Sequence, residues 1–586
     1  MSIIRSSKRV AVLALGVAAL AIAPAYAAKP TGEKTTNGNN GGVSTKKAPG
    51  QSRYLIQYKN GDKAAIEAAI VQFGGRVVFD YAPVIDGLAA DLDKNGIKSL
   101  RSSGLAKRIE DDVEIARNPL NPATDPDGGR PEPVVNGVPA GFPDTQDFDE
   151  FVPWGRDRVN ADVVWSVGPN FGTADNGIAS PDIATGANTG AGVVVADLDS
   201  GIDYNHPDLA ANIMDDRGSG VIRDFIDGDD DSTDSAFDGH GTSTASVIAS
   251  AANGVGVVGV APGAKIRPYR ICVQTCPLSA IIGGIVQATA DGVDVINMSL
   301  GGPAGFNIEA SAIQAAARNN IVIVASAGND ASQKVQFPAG YGQVLAVGAT
   351  DINDNAASFT NYGGWVDLTG PGVNNPTATC SGCVTEGFVD ETSPTAQSFA
   401  ANQMTNSPVA IVSGAEIVDV GQACTTTAGD ALAANPAGKV ALIVRGACSF
   451  AEKVASAEAA GAIGTIIYNN APGNFFGTLG TFASTGPSVS ISDTDGQALA
   501  AEIAGGTTTA DVGVRRLNDI IYWYISGTSF SAPHVAGVAA LVRAQNPNLN
   551  EQQVRKVITD TAESFGNQNL FGAGMVRADN AVNAAN

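Results

Sequence analysis

Apolar and polar positions alternate with two periods along this chain, and the period changes block by block. Between residues 53 and 112, strand-like runs at 54–58, 76–80, 87–91 and 106–113 enclose two segments, 62–73 and 94–102, whose apolar residues recur at helical spacing. That order is βαββαβ, the split-βαβ motif. From residue 151 to about 372, runs at 192–196, 293–298, 321–325 and 344–347 are apolar throughout, as strands covered on both faces are. Helical patterns lie between them at 242–251, 279–290 and 308–319, and such alternation predicts a parallel α/β sheet. The pattern breaks after Pro371. Residues 376–517 are rich in Thr, Ser, Ala and Gly, with β-type runs at 409–420, 440–445, 464–468 and 489–491 and one helical stretch at 450–460. A strand at 520–525 and helices at 529–545 and 550–564 then restore the α/β character, so the middle block reads as an insertion.

Composition narrows the class. The chain has 586 residues, 44% of them hydrophobic and 16% charged, enough to bury several cores. Its 36 Lys+Arg against 59 Asp+Glu give a formal charge of −23, which argues against nucleic acid or an anionic membrane as partner. Arg5, Lys8 and Arg9 precede an apolar run at 10–22 and then Ala25-Tyr26-Ala27. Such a run is too short to span a bilayer, so residues 1–27 read as a cleaved signal peptide, with an uncleaved anchor as the duller alternative. The mature protein is expected to be secreted, extracellular and clear of the membrane. Residues 28–52 form a flexible spacer and 118–150 a linker dense in Pro, Gly and Asp. In an oxidising compartment, six cysteines suggest disulfides, most simply Cys272 with Cys276, Cys380 with Cys383 and Cys424 with Cys448. A four-cysteine zinc site from the first two pairs is the competing reading.

The chemistry-bearing residues are few. Histidine occurs three times, as His206, His240 and His534. His240 lies between two glycines ahead of a helical pattern. Asp199 follows an apolar strand, whose C-terminal end is where open α/β sheets place their sites. Ser529 opens a helix in which Pro533 falls in the first turn, putting its oxygen at the positive helix end. Taken singly, Asp199 is also a turn former, His240 a structural histidine and Ser529 a helix N-cap.

Together, in the order Asp, His, Ser, these residues resemble the subtilisin-like serine peptidases. The resemblance covers residues 199–203, 206–209, 239–242, 297–302, 327–329 and 527–537, and within it Ser243-Thr244-Ala245 replaces the family's common His-Val-Ala. It implies Ser529 as nucleophile, His240 as general base, Asp199 as its orienting carboxylate and Asn329 as oxyanion donor. It also implies a substrate-binding edge at Ser299, Leu300, Gly301 and Gly302, and a pocket wall at Ala327 and Gly328 with Gln336 near its base, where many relatives have glycine. Structural calcium would be held by Asp208, Asn253, Val255 and Val257. A second acidic loop, residues 227–234, is either another ion site or a solvated turn.

The same resemblance implies an inhibitory, ferredoxin-like α+β propeptide at 53–117. The parallel-sheet α/β catalytic domain is then split between 151–375 and 518–586 by a β-rich protease-associated domain at 376–517. The implied protein is a monomeric, secreted, autoprocessed endopeptidase acting on proteins and peptides, with its own propeptide as inhibitor. An exopeptidase of the same family and a non-catalytic binding protein on a peptidase scaffold are the alternatives.

Overall fold

A computed structural model describes residues 45–586 apart from 60, 117–131, 134–151, 166–182, 235–238, 384, 428–429, 476, 480–481 and 518–520. The expected signal peptide, residues 28–44 of the spacer and, apart from Glu132–Pro133, the linker lie outside the described residues.

The N-terminal unit comprises β1 (Ser52–Tyr58), α1 (Lys63–Gln72), β2 (Arg76–Asp80), β3 (Gly87–Leu92), α2 (Lys94–Ser103) and β4 (Ala106–Asp111). Its antiparallel sheet has the order β2-β3-β1-β4. Because side chains alternate across a strand, the sheet serves two cores. Tyr54, Ile56, Leu88, Ala90 and Leu92 pack with Ile66, Ile70, Ile97 and Leu100 of its own helices. Leu55, Phe79 and Ala89 face the opposite way, into the core of the larger domain.

That domain is built on a six-stranded parallel sheet. Its elements in chain order are β5 (Val194–Asp199), α3 (His240–Ala249), β6 (Lys265–Arg270), α4 (Leu278–Ala290), β7 (Val295–Met298), α5 (Asn307–Arg318), β8 (Val322–Ser326), β9 (Val344–Thr350) and β10 (Leu368–Pro371). The strands run in the order β10-β9-β8-β7-β5-β6. Both faces are covered, again with period two. Val195, Val295, Val322 and Val324 pack beneath α3 and a long helix described below, while Ala196, Leu198, Ile296 and Ile323 pack against α4 and α5. The continuous apolar runs are the sequence signature of that double burial. β6 escaped the pattern: its sequence KIRPYR holds Pro268, which a sheet tolerates at an edge, and β6 is the edge strand.

The insert is a closed barrel of β11 (Thr385–Ser393), β12 (Gln397–Gln403), β13 (Ile411–Asp419), β14 (Val440–Val444), β15 (Gly464–Tyr468), β16 (Ser488–Ile491) and β17 (Thr509–Arg516). The expectation of a single helical stretch there is corrected. Beside Phe450–Ala459 runs a second helix, Asp493–Gly505, whose first turn is capped by the Ser492 side chain. Glycines mask its helical character, and one of them is needed: a β-carbon on Gly496 would lie 2.1 Å from Tyr468 Cβ on β15. The two chain crossings into the barrel are tied together where Asn375–Ala378 pairs antiparallel with Tyr522–Ile525. The long helix α6 (Thr528–Gln545) follows, and the last long helical segment ends at Asp560, short of the expected 564. All three neighbouring cysteine pairs are disulfide-bonded, so the zinc reading falls away.

Candidate active site

Asp199 ends β5 and is buried. His240 is itself the first residue of α3, two residues earlier than the helical pattern suggested, after Gly239 in a left-handed conformation with φ +55°. The glycine that follows His240 has a steric cause. A β-carbon on Gly241 would lie 2.2 Å from Gly201 O, so only glycine lets the helix start press against the turn after Asp199. That approach brings His240 Nδ1 to 2.8 Å from Asp199 Oδ1, which also accepts from Ser200 N at 2.7 Å. A carboxylate only accepts, so Nδ1 carries the proton and Nε2 presents its lone pair. Asp234 braces the pair from behind, accepting from Ser200 Oγ at 3.1 Å and Thr242 Oγ1 at 2.8 Å.

Ser529 is the second residue of α6, so Pro533 lies in the second helical turn and not, as expected, in the first. The displacement matters. Residue 533 would normally donate its N–H to the carbonyl of residue 529, and proline has none to give. Ser299 Oγ takes its place, donating to Ser529 O at 2.7 Å, while Ser529 Oγ donates to Ser299 O at 3.2 Å. The His240 ring sits 5.3 Å, centroid to centroid, from Phe530, the residue after Ser529. Asn329 turns its Oδ1 into the start of the same helix, accepting from Thr528 N at 2.9 Å and Oγ1 at 2.8 Å. The donor end of the amide lies 3.6 Å from a β-carbon built on Gly527, the residue before the helix.

Ala327 and Gly328, the residues expected to wall the pocket, are held through their backbone. Gly328, with φ +102°, donates its N–H to Thr528 Oγ1 and accepts from Asn361 N, and Ala327 O accepts from Asn361 Nδ2. Gln336 closes in on it: a β-carbon on Gly328 would lie 3.1 Å from Gln336 Cγ. At the edge, one expectation is modified. Gly302 exchanges both backbone hydrogen bonds with Phe337, at 2.9 and 2.8 Å, so it does not present an open pairing edge. What lies against Gly302 is the tail of the N-terminal unit. Glu114–Ala116 pairs antiparallel with Thr275–Pro277, and the Ile115 side chain comes within 3.1 Å of a β-carbon built on Gly302. The sequence pattern did not single out this strand of three residues.

The other two histidines are structural. His206 accepts from Asp208 N through Nδ1 and donates from Nε2 to Ile521 O at 3.0 Å; burial pulls its pKa down to about 4. His534 Nδ1 donates to Phe530 O at 2.7 Å, and burial, with Arg156 adding to it, pulls its pKa well down. Carboxylates in and beside the acidic loop bond to protein groups around them. Asp224 and Asp227 both pair with Arg270, Asp229 accepts from Asp231 N, and Asp230 accepts from Gly220 N.

The residues expected to hold calcium do come together, Asp208 against the loop that carries the other three. Buried Asp208 accepts from Val257 N at 2.8 Å, and Asn253 Oδ1 accepts from Val255 N at 3.1 Å. The loop is drawn tight around this carboxylate, since a β-carbon on Gly256 would meet Asp208 Oδ2 at 2.4 Å and Tyr522 Oη at 2.1 Å. A carboxylate, an amide oxygen and loop carbonyls form an all-oxygen donor set, which suits a hard cation. Asp234 also lies close to Cys380 and Cys383, but those sulfurs are joined to each other.

Comparison with known proteins agrees with this architecture. The Subtilase family profile matches residues 190–416 and the PA domain profile residues 405–499. Subtilisin NAT of Bacillus subtilis subsp. natto is 30% identical over 340 residues, which cover 56% of this chain and 73% of that protein. Alkaline elastase YaB of Bacillus sp. (strain YaB) is 25% identical over 550 residues, 91% of this chain and 92% of its own length. Fervidolysin from Fervidobacterium pennivorans shares the fold at a TM-score of 0.52 and 20% identity, covering 93% of this chain and 62% of that one. The chain belongs to the subtilase family of serine peptidases, with a PA domain inserted in its catalytic domain.

Proposed function

We propose that this protein is a secreted serine endopeptidase, made as a precursor whose residues 53–117 inhibit it until they are removed. The observation that carries the reading is the bonded Asp199–His240 pair beside a serine whose helix start is organised by Asn329. In the reaction, His240 Nε2 takes the proton of Ser529 Oγ as that oxygen attacks the peptide carbonyl, and Asp199 stabilises the imidazolium so formed. Asn329 and the N–H of Ser529 stabilise the oxyanion, and the imidazolium then protonates the leaving amine. Water repeats the sequence on the acyl-enzyme.

Inhibition by the N-terminal unit is supported by Ile115 lying against Gly302, at the end of the segment Ser299 to Gly302 expected to bind substrate. Calcium, held by Asp208, Asn253 and the carbonyls of Val255 and Val257, would stiffen the loop that packs on Tyr522. An extracellular location accords with three disulfides and with the lack, among the described residues, of any helix long and apolar enough to cross a membrane.

Ser529→Ala is the direct test. The variant should show no hydrolysis of denatured protein and should accumulate as a precursor that retains residues 53–117. Wild type should release large internal fragments from the same substrate. Normal maturation and activity of Ser529→Ala would overturn the assignment, whereas release of only terminal dipeptides or tripeptides by wild type would favour an exopeptidase.

A further inference from the structure

Asp197 stands two residues before Asp199 on β5, so the pleat sets both carboxylates on one face, beneath α3. The helix answers at its own period, with His240 and Thr244 one turn apart on the same side. The upper pair is His240 Nδ1 with Asp199 Oδ1 at 2.8 Å, and the lower is Thr244 Oγ1 with Asp197 Oδ2, also at 2.8 Å. Asn297, the register partner of Asp197 on β7, donates from Nδ2 to Asp197 Oδ1 at 2.9 Å. The same Nδ2 is 3.3 Å from Ser299 Oγ, which holds Ser529 O. Asp197 is therefore linked by hydrogen bonds both to the helix that carries the base and to the strand end that carries the serine's support.

The surroundings make a carboxylate costly there. Asp197 is 3% exposed, among Val195, Val295 and Val322. The sequence pattern hid it, because Val193 to Leu198 reads as a buried strand with one polar interruption.

We propose that Asp197 is a positioning residue for the serine-peptidase reaction, its carboxylate acting as a second negative charge beneath Asp199 that favours the imidazolium form of His240. The inference rests on the reading of Ser529 and His240 given above.

The titratable groups bearing on Asp197 are Asp199 on its own strand and His240 on α3. β7 contributes Asn297 and β6 contributes Pro268, while His534 and Arg543 of α6 are bonded to Phe530 O and to Leu549 O and Asn320 O. Burial, then the Asp199 charge, raise the pKa of Asp197 towards neutrality, and Asn297, Thr244 and His240 pull it back. At low pH Asp197 is neutral; as pH rises it ionises, and only then is the second anion in place beneath the base.

Asp197→Asn tests this at constant shape. The new Oδ1 accepts from Asn297, and the new Nδ2 donates to Thr244 Oγ1, whose proton turns to Gly241 O, already 3.0 Å away. The acidic limb of kcat/KM should change from a slope approaching two to a slope of one, with its midpoint at lower pH. The plateau kcat should fall roughly tenfold, the equivalent of one pK unit, with KM unchanged, because Asp197 does not touch substrate. A purely structural role would lower thermal stability and leave the limb unmoved. The raised pKa predicts the reverse: ionisation of Asp197 lowers stability as pH rises through that pKa, so the variant should melt no lower than wild type at pH 9. A pH profile superimposable on that of wild type would overturn the proposal, as would a wild-type limb of slope one should the variant fail to fold. Labelling of wild-type Ser529 by a fluorophosphonate keeps the two questions apart. Labelling with an unmoved profile removes only Asp197, whereas absence of labelling removes the peptidase reading itself.

Discussion

Asp208 and Pro533 act through opposite means at the scale of single residues. Pro533 shapes the site by a donor it lacks, leaving Ser529 O to Ser299, and a reader of sequence sees the proline but not the bond it redirects. Asp208 acts by a charge placed in the interior: it is fully buried, with Val257 N donating to it and the Asn253 loop folded over it. If calcium completes that shell, it binds the folded state and not the unfolded one, which at a hundredfold excess over its dissociation constant contributes about 2.7 kcal/mol. A calcium chelator should then shorten the half-life of wild-type activity at elevated temperature. Asp208→Asn should start with the shorter half-life and be indifferent to the chelator. Equal half-lives of wild type with and without chelator would remove Asp208 and Asn253 as ligands.

Among elements, α4 and α5 carry the N-terminal unit on their first turns. Asp112 accepts from Ser279 N at 2.8 Å and Ser279 Oγ at 2.7 Å, and Glu110 accepts from Asn307 N at 3.1 Å and Ile308 N at 3.2 Å. Neither helix is capped by a side chain of its own, so two carboxylates from another unit satisfy N–H groups at the positive ends of α4 and α5. Each cap of this kind is worth about 1 kcal/mol. In a Ser529→Ala background, replacing Glu110 and Asp112 by alanine should raise hydrogen exchange in β1 to β4 by roughly thirtyfold, the equivalent of about 2 kcal/mol. Unchanged exchange would mean that the apolar contact of Leu55, Phe79 and Ala89 holds the unit alone. These caps also mark the limit of what was legible in the sequence. β5, β7, β8 and β9 of the central sheet could be read because burial on both faces writes an unbroken apolar run, and α2 because its period is clean. β6, β11 and Asp493–Gly505 could not, since proline at an edge, Thr and Glu in a barrel wall, and glycine under close packing each obscure the period. Asp199, His240 and Ser529 were legible as motifs. Asp197, Ile115 and the two caps were not, because their significance lies in partners distant along the chain.

Taken whole, the molecule joins a barrel to the catalytic domain through a narrow waist close to the site. The chain leaves β10 and crosses Asn375–Ala378; it returns along Tyr522–Ile525, directly before α6. That ribbon packs on the helices carrying His240 and Ser529: Trp523 and Ile525 share a small core with Val247 and Phe530, and Trp523 Nε1 donates to Ser243 Oγ at 2.9 Å. The Cys380–Cys383 disulfide stands at the same waist, its Cys380 sulfur 3.1 Å from a β-carbon built on Gly239. The waist therefore belongs to the catalytic core, while the barrel beyond residue 384 has cores of its own. A deletion that removes residues 385–516 but keeps the ribbon and the disulfide should thus fold and hydrolyse short peptides within a few-fold of the wild-type rate. Hydrolysis of whole proteins should fall by a much larger factor if the barrel's surface engages substrate outside the cleft. Equal losses on peptide and protein, measured as kcat/KM on both, would show instead that the barrel serves to fold or brace the ribbon.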